Sequence, residues 1–202
     1  MIRARQHDKK DKVRACKDIG PLSPAMAKYA NRFSPPGIPM FYASQKAQTA
    51  ISEVIDRKKR KQSITVACFR NTKPLTLVDL TKIPELSIFD LQRSDFYEAS
   101  VFLKKFTKQI SRRIKKKGGE NFEYVPTQVI TEYLKHAFPV EYKVSIDGLI
   151  YPSSVAQGEH CYVIFADSRH CADEGKQSKR TKLILVKDSI ETVPVKKLIR
   201  KK

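Results

Sequence analysis

Three residues whose types could share one reaction lie close together in the stretch Arg32 to Glu53, RFSPPGIPMFYASQKAQTAISE. The guanidinium of Arg32 offers a planar fork of donors that fits phosphate oxygens two at a time. Tyr42 stands at the end of a short apolar run, where a phenol can lay its ring against a flat heterocycle and keep its hydroxyl on a polar partner. Glu53 falls a turn or two into the following helical pattern. A carboxylate there can face the same space and stabilise positive charge developing at a sugar C1′. Each residue also has a plainer role open to it. Arg32 could be a solvated surface cation, Tyr42 a core aromatic, and Glu53 a helix-surface charge paired with Arg57 at i,i+4. Residue type alone does not choose between these roles, so order and context must.

The elements that would position these residues can be read from periodicity and turn chemistry. The SPPG turn at Ser34 to Gly37 favours a loop. Pro39 to Ala43 reads as a short buried strand, and Ser44 is placed to cap a helix over Gln45 to Asp56. Ala47, Ala50, Ile51, Val54 and Ile55 form the apolar stripe of that helix. Ile64 to Phe69 and Leu75 to Leu80 are strand-like, with a hairpin turn expected at Asn71 to Pro74. Phe96, Ala99, Phe102, Leu103, Phe106, Ile110 and Ile114 mark a helix over Phe96 to Lys116, stopped by Gly118-Gly119. Pro126 suits the first turn of a further helix carrying Val129, Ile130, Tyr133, Leu134, Ala137 and Phe138, with Gln128 and Glu132 on its polar face. Gly148 to Tyr151, Cys161 to Ala166, Thr181 to Val186 and Thr192 to Val195 read as strands. No repeat or low-complexity linker divides the chain, so residues 21–195 are expected to form one domain. Residues 1–20, polar and strongly charged, read as a basic tail, and residues 196–202 as a second one.

Composition narrows the function classes. The 202 residues carry 40 Lys and Arg against 21 Asp and Glu, a formal charge of +19, with 41% hydrophobic and 9% aromatic residues. That is too much apolar material for a disordered chain. No apolar run approaches the roughly 20 residues that span a bilayer, and the basic start has no apolar core of a secretory signal. A cytoplasmic protein is expected. Four scattered cysteines read as free thiols. His160-Cys161 and His170-Cys171 bring four zinc-type ligands together in sequence, yet neighbours on a strand point to opposite faces, so no metal is expected. Basic runs at Arg57 to Lys61, Arg112 to Lys117, Lys176 to Lys182 and Lys196 to Lys202 leave one rival open, a nucleic-acid-binding module gripping backbone phosphates. No base-reading motif accompanies those runs. A nuclease would need a His pair or a carboxylate cluster that is not visible.

Three separated blocks carry a resemblance: Arg32-x-x-Pro35-Pro36-Gly37-Ile38-Pro39-x-Phe41-Tyr42-Ala43 with Thr49-Ala50-Ile51-Ser52-Glu53; Tyr124-Val125-Pro126-Thr127-Gln128; and Asp147-Gly148-Leu149-Ile150-Tyr151-Pro152-Ser153-Ser154 with Phe165. In this order they resemble the RES domain, a family named for its Arg, Glu and Ser, over about Gly20 to Asp167. The resemblance implies a single α+β domain, with a mixed, mainly antiparallel sheet and flanking helices like those of the ADP-ribosyltransferases. It also implies cleavage of the nicotinamide–ribose bond of NAD, with transfer of ADP-ribose to phosphate, water or a protein. That is the chemistry of an NAD phosphorylase, NAD glycohydrolase or ADP-ribosyltransferase. Many members are toxins of toxin–antitoxin pairs, so the implied partners are NAD, inorganic phosphate and a protein antitoxin. NAD enters as substrate. Carried over by residue, Arg32 would hold a phosphate of NAD, Tyr42 would pack on the nicotinamide side, and Glu53 would orient the ribose and steady its cationic transition state. Ser153, with Ser154 one register away, would hydrogen-bond a phosphate. Where the family often has Asn two residues after its Arg, this chain has Ser34.

Overall fold

The computed structural model describes residues 1–87, 89, 91–112 and 122–199. Its strands are β1 (Ile2–Asp8), β2 (Phe41–Ser44), β3 (Gln62–Asn71), β4 (Leu77–Asp79), β5 (Gly148–Pro152), β6 (His160–Ile164), β7 (Cys171–Asp173), β8 (Leu183–Leu185) and β9 (Glu191–Pro194). They form one sheet in the order β4-β5-β6-β2-β1-β3-β8-β7, with β9 also paired to β3. Every pair is antiparallel except β4–β5 and β7–β8. β3 is long enough to take two partners along one edge, β9 against Ser63 to Val66 and β8 against Phe69 to Asn71. The sheet curls until its far ends meet: Lys182, just before β8, reaches Asp147, just before β5, at 2.7 Å.

Helices cover both faces: α1 (Cys16–Ile19), α2 (Ala47–Val54), α3 (Ser94–Ile110), α4 (Val125–Glu132), α5 (Phe138–Tyr142) and α6 (Val195–Ile199). Strand alternation sorts the core into layers. Met40, Leu149, Tyr151, Cys161 and Val163 meet Phe106 and Ile110 of α3 on one side. Phe41, Phe69, Ile164 and Leu183 meet Ile19 of α1 on the other. Ala4, Ile64 and Val66 receive Ala50 of α2, a small residue that lets the helix approach closely. Strands β5 and β6 approach more closely still, since a Cβ at Gly148 would lie 2.2 Å from the Val163 carbonyl oxygen. Between α4 and α5 one turn widens into a π-helix over Tyr133–Ala137. Pro139 explains it: proline has no N–H to return to Lys135, and its ring crowds that carbonyl.

Four expectations change. Residues 1–20 do not form a tail. Ile2–Asp8 is an inner strand paired in register with β3 from Ile2↔Cys68 to Asp8↔Gln62. Its charges read as tail because they alternate with Ile2 and Ala4 and so occupy a single face. Leu77–Asp79 does not make a hairpin with β3; it lies across the sheet, parallel to β5. A parallel pair needs a long crossover, and α3 to α5 provide it. Ser44 ends β2 and does not cap α2, whose N-cap position is Lys46. The expected basic tail at 196–202 begins inside α6, and residues 200–202 lie outside the described residues. So do the expected end of the α3 helix over 113–116 and its Gly118-Gly119 stop.

Candidate active site

The site begins as an interruption in the sheet. β2 is laddered to β6 over four consecutive pairs, Phe41↔Ile164 to Ser44↔Cys161, but to β1 only at Ile2↔Ser44. Beyond that pair the backbone of β2 is met by a side chain. Arg3 donates from Nη1 to Tyr42 O at 2.8 Å, from Nε to Ile19 O at 2.6 Å and from Nη2 to Gly20 O at 3.4 Å. Its guanidinium also lies 5.1 Å from the centre of the Phe41 ring. Burial lowers its pKa to about 10, which still leaves it charged at neutral pH. Arg5, next on the same face, donates to Asp18 O. A cleft of about 530 Å³ follows this open seam, with Arg3 and Arg5 on one side and Arg32, Tyr42, Glu53 and Tyr151 on the others.

Register decides which side chains face it. Ser44, Cys161 and Tyr151 lie side by side across β2, β6 and β5, and Tyr42, Val163 and Leu149 form the next row on the same face. Ser153, two residues after Tyr151, follows on that face. Glu53 comes down from the last turn of α2. Ser153 Oγ donates to Glu53 Oε1 at 2.6 Å, and the Cys161 thiol points to the same oxygen at 3.6 Å. Behind it, Ser153 Oγ accepts the backbone N–H groups of Val155 and Ala156 at 3.2 and 3.0 Å. The serine is thereby fixed by a tight turn and fixes the carboxylate in its place. The Ser153 hydroxyl proton, expected on a phosphate, is here directed at Glu53. Ser154, not Ser153, lines the cleft. Cys161 Sγ lies 3.4 Å from Ser44 Oγ. Burial, joined by the Glu53 charge, pushes this thiol up to about 11, so it stays neutral.

Arg32 is presented by a small reverse turn closed by Asn31 N–H to Ser34 O at 2.8 Å and Ser34 N–H to Asn31 O at 3.2 Å. The second motif block braces that turn. Gln128 Nε2 donates to Asn31 O at 2.8 Å, and the Thr127 hydroxyl sits between Arg32 O and Tyr124 O. Arg32 Nη2 donates to Arg112 O at 3.0 Å. Its Nη1 is buried without a hydrogen-bond partner, the only guanidinium nitrogen among the described residues left so. Tyr42 is anchored by Ser34, with the two hydroxyl oxygens 3.1 Å apart. Burial raises its phenol to about 12, so it too is neutral.

The segment Arg32, Tyr42 and Glu53 thus meets Ser154 at one cleft, with Ser153 bonded to Glu53 beside it. Glu53 remains exposed within it, with Ser153 and Cys161 rather than Arg57 as its contacts, since α2 ends before Arg57. Arg3 and Arg5, which fall in the expected tail, and Cys161 and Tyr151 are cleft residues that the sequence does not mark as such. The alternation Ile2-Arg3-Ala4-Arg5 was the available signal for the first pair. The four zinc-type residues separate: Cys161 faces the cleft, His170 Nδ1 is 2.8 Å from Asp167, and Cys171 packs with Cys16 on the other face. Among the described residues no group of three His, Cys, Asp or Glu is placed to hold a metal ion, and no helix is long and apolar enough to cross a membrane.

Fold and cleft together define an α+β protein with a curled, mainly antiparallel sheet, opened at one seam around an Arg–Tyr–Glu cluster. A family model, the RES domain, matches residues 3–186, and the chain belongs to that family. The match begins at Arg3, so β1 lies within the family's domain and not ahead of it. Membership gives the chain a general NAD-related, toxin-type and enzyme-like character. No curated protein matches the sequence.

Proposed function

We propose that the cleft binds NAD and breaks its nicotinamide–ribose bond, passing ADP-ribose to phosphate, water or a protein acceptor in the cytoplasm. The observation that carries this reading is the pairing, within one cleft, of a buried Arg32 nitrogen without a partner and a carboxylate locked by Ser153. An unsatisfied buried guanidinium donor is costly unless an anion completes it, and a dinucleotide pyrophosphate is such an anion. Arg3 and Arg5 add positive field along the open seam. Glu53 supplies negative charge where the sugar becomes cationic. As the C1′–N bond breaks, its electron pair leaves with nicotinamide, which departs neutral because the ring nitrogen was positive in NAD. The acceptor oxygen then bonds to C1′ and gives up its proton. Tyr42, neutral and held by Ser34, forms an aromatic wall for the nicotinamide side.

An acidic protein of the antitoxin kind fits the rest of the surface. Phe96 and Phe102 on α3, with Val129 and Val140 on α4 and α5, are exposed apolar side chains on a molecule of charge +19. The reaction is tested by chromatographic assay of free nicotinamide from NAD, with and without phosphate. Release accelerated by phosphate is expected for a phosphorylase. Release unaffected by phosphate, with label appearing on a protein, is expected for a transferase. Salt-sensitive gel shifts with nucleic acid and no nicotinamide release would overturn the proposal in favour of the basic-module reading.

A further inference from the structure

Tyr151 is among the polar residues of the cleft to which the mechanism above gives no role. It is 9% exposed and lines the cavity, and its hydroxyl makes no hydrogen bond among the described residues. The ring cannot swing away to find one. It packs on Phe33, with centroids 4.6 Å apart at 57°, and its backbone is paired with Cys161 within the β5–β6 ladder. The groups near enough to act on the phenol electrostatically are Cys161, Tyr42, Glu53 and Arg32, the same residues that make the site. Burial first, then the thiol, the Tyr42 phenol and the carboxylate, hold its pKa well above the ordinary tyrosine value, so it keeps its proton and can donate. Three residues around Glu53 and Tyr151 contrast with it. Tyr42 has Ser34, Ser153 has Glu53, and Cys161 has Ser44 and Glu53. The hydroxyl is not one of the enclosed polar atoms left without a partner, so it opens on the cleft, where a ligand can supply the acceptor.

We propose that Tyr151 is a further substrate-binding residue: its hydroxyl donates a hydrogen bond to a ribose oxygen on the side of the bound dinucleotide that Glu53 faces. This rests on the NAD reading and adds to it a residue that fixes the sugar from the β5 side, opposite α2. The substitution Tyr151→Phe removes the oxygen alone. Two measurements are made on it: thermal unfolding without ligand, and NAD binding by calorimetry in a Glu53→Gln background that does not turn over. The apo protein is expected to melt at the same temperature as wild type or higher, while NAD binds about five- to tenfold more weakly, the worth of one hydrogen bond. Tyr42→Phe, which breaks the Ser34 contact, is expected to lower the melting temperature and so serves as the contrast. Unchanged NAD affinity, or a lower melting temperature for Tyr151→Phe, overturns the inference while leaving the NAD reading in place. Absence of both NAD binding and nicotinamide release in protein with native Tyr151 overturns the parent reading and this inference with it.

Discussion

The two edges of β2 are built to opposite ends. Toward β6 the strand is laddered along its whole length, and the adjoining rows Ser44–Cys161–Tyr151 and Tyr42–Val163–Leu149 are fixed by register. Toward β1 the ladder stops after one pair, and Arg3 meets the Tyr42 carbonyl instead of a backbone N–H. The closed edge supplies precision, because side chains on paired strands cannot slide without losing several hydrogen bonds. The open edge supplies room and charge. A cleft cut into a sheet leaves backbone carbonyls needing donors, and a guanidinium, with donors spread over a planar fork, satisfies three at once. The same residue that repairs the sheet therefore makes the cleft positive.

That contrast can be broken or sharpened by substitution, and the largest effect is expected where neither edge is touched. Glu53→Gln keeps the size and the Ser153 contact but removes the charge. Nicotinamide release should fall by roughly a thousandfold or more, with thermal unfolding unchanged. Next is Arg3→Ala, which leaves three carbonyls without their donor and should cost about 3 kcal/mol in denaturant unfolding. Arg3→Lys should recover only part of this, since an ammonium cannot span the three acceptors as a fork does. Ser153→Ala acts on the closed edge and should lower turnover roughly ten- to thirtyfold through a loosened Glu53, with little loss of stability. A smaller effect tests the curl of the sheet. Burial alone would raise the Asp147 pKa, but Lys182 and the Thr76 N–H outweigh it and hold the group below its ordinary value. A depressed carboxylate stabilises the fold above its unfolded pKa, and this contribution disappears as pH falls through the folded value. Asp147→Asn should therefore flatten the acid limb of the stability–pH curve and leave cleft binding unchanged.

The sequence was most readable where chemistry and local pattern coincide. Arg32, Tyr42 and Glu53 stand in one stretch with a turn, a strand and a helix whose signals are all local, and those elements form within a few residues of expectation. Ser153 is legible in the sequence as a site residue, but only the fold reveals that its hydroxyl meets a carboxylate one hundred residues earlier in the chain. β1 was illegible for a physical reason: an inner strand normally shows apolar residues, and Arg3 and Arg5 are accommodated only because the seam beside them is open. Tyr124-Val125-Pro126-Thr127-Gln128 was visible as a motif, yet its task of bracing the Arg32 turn through Thr127 and Gln128 is purely tertiary. Nearness in sequence favours a hairpin of β4 with β3, whereas its parallel pairing with β5 depends on a crossover that periodicity does not reveal.

The central claim, that a dinucleotide lies along the open seam with its reacting sugar at Glu53, is tested most directly by a crystal structure of the Glu53→Gln variant soaked with NAD. The account predicts a phosphate oxygen on Arg32 Nη1 and the nicotinamide ribose between residue 53 and Tyr151. NAD bound elsewhere on the molecule, or a cleft left without it at saturating concentration, would contradict it.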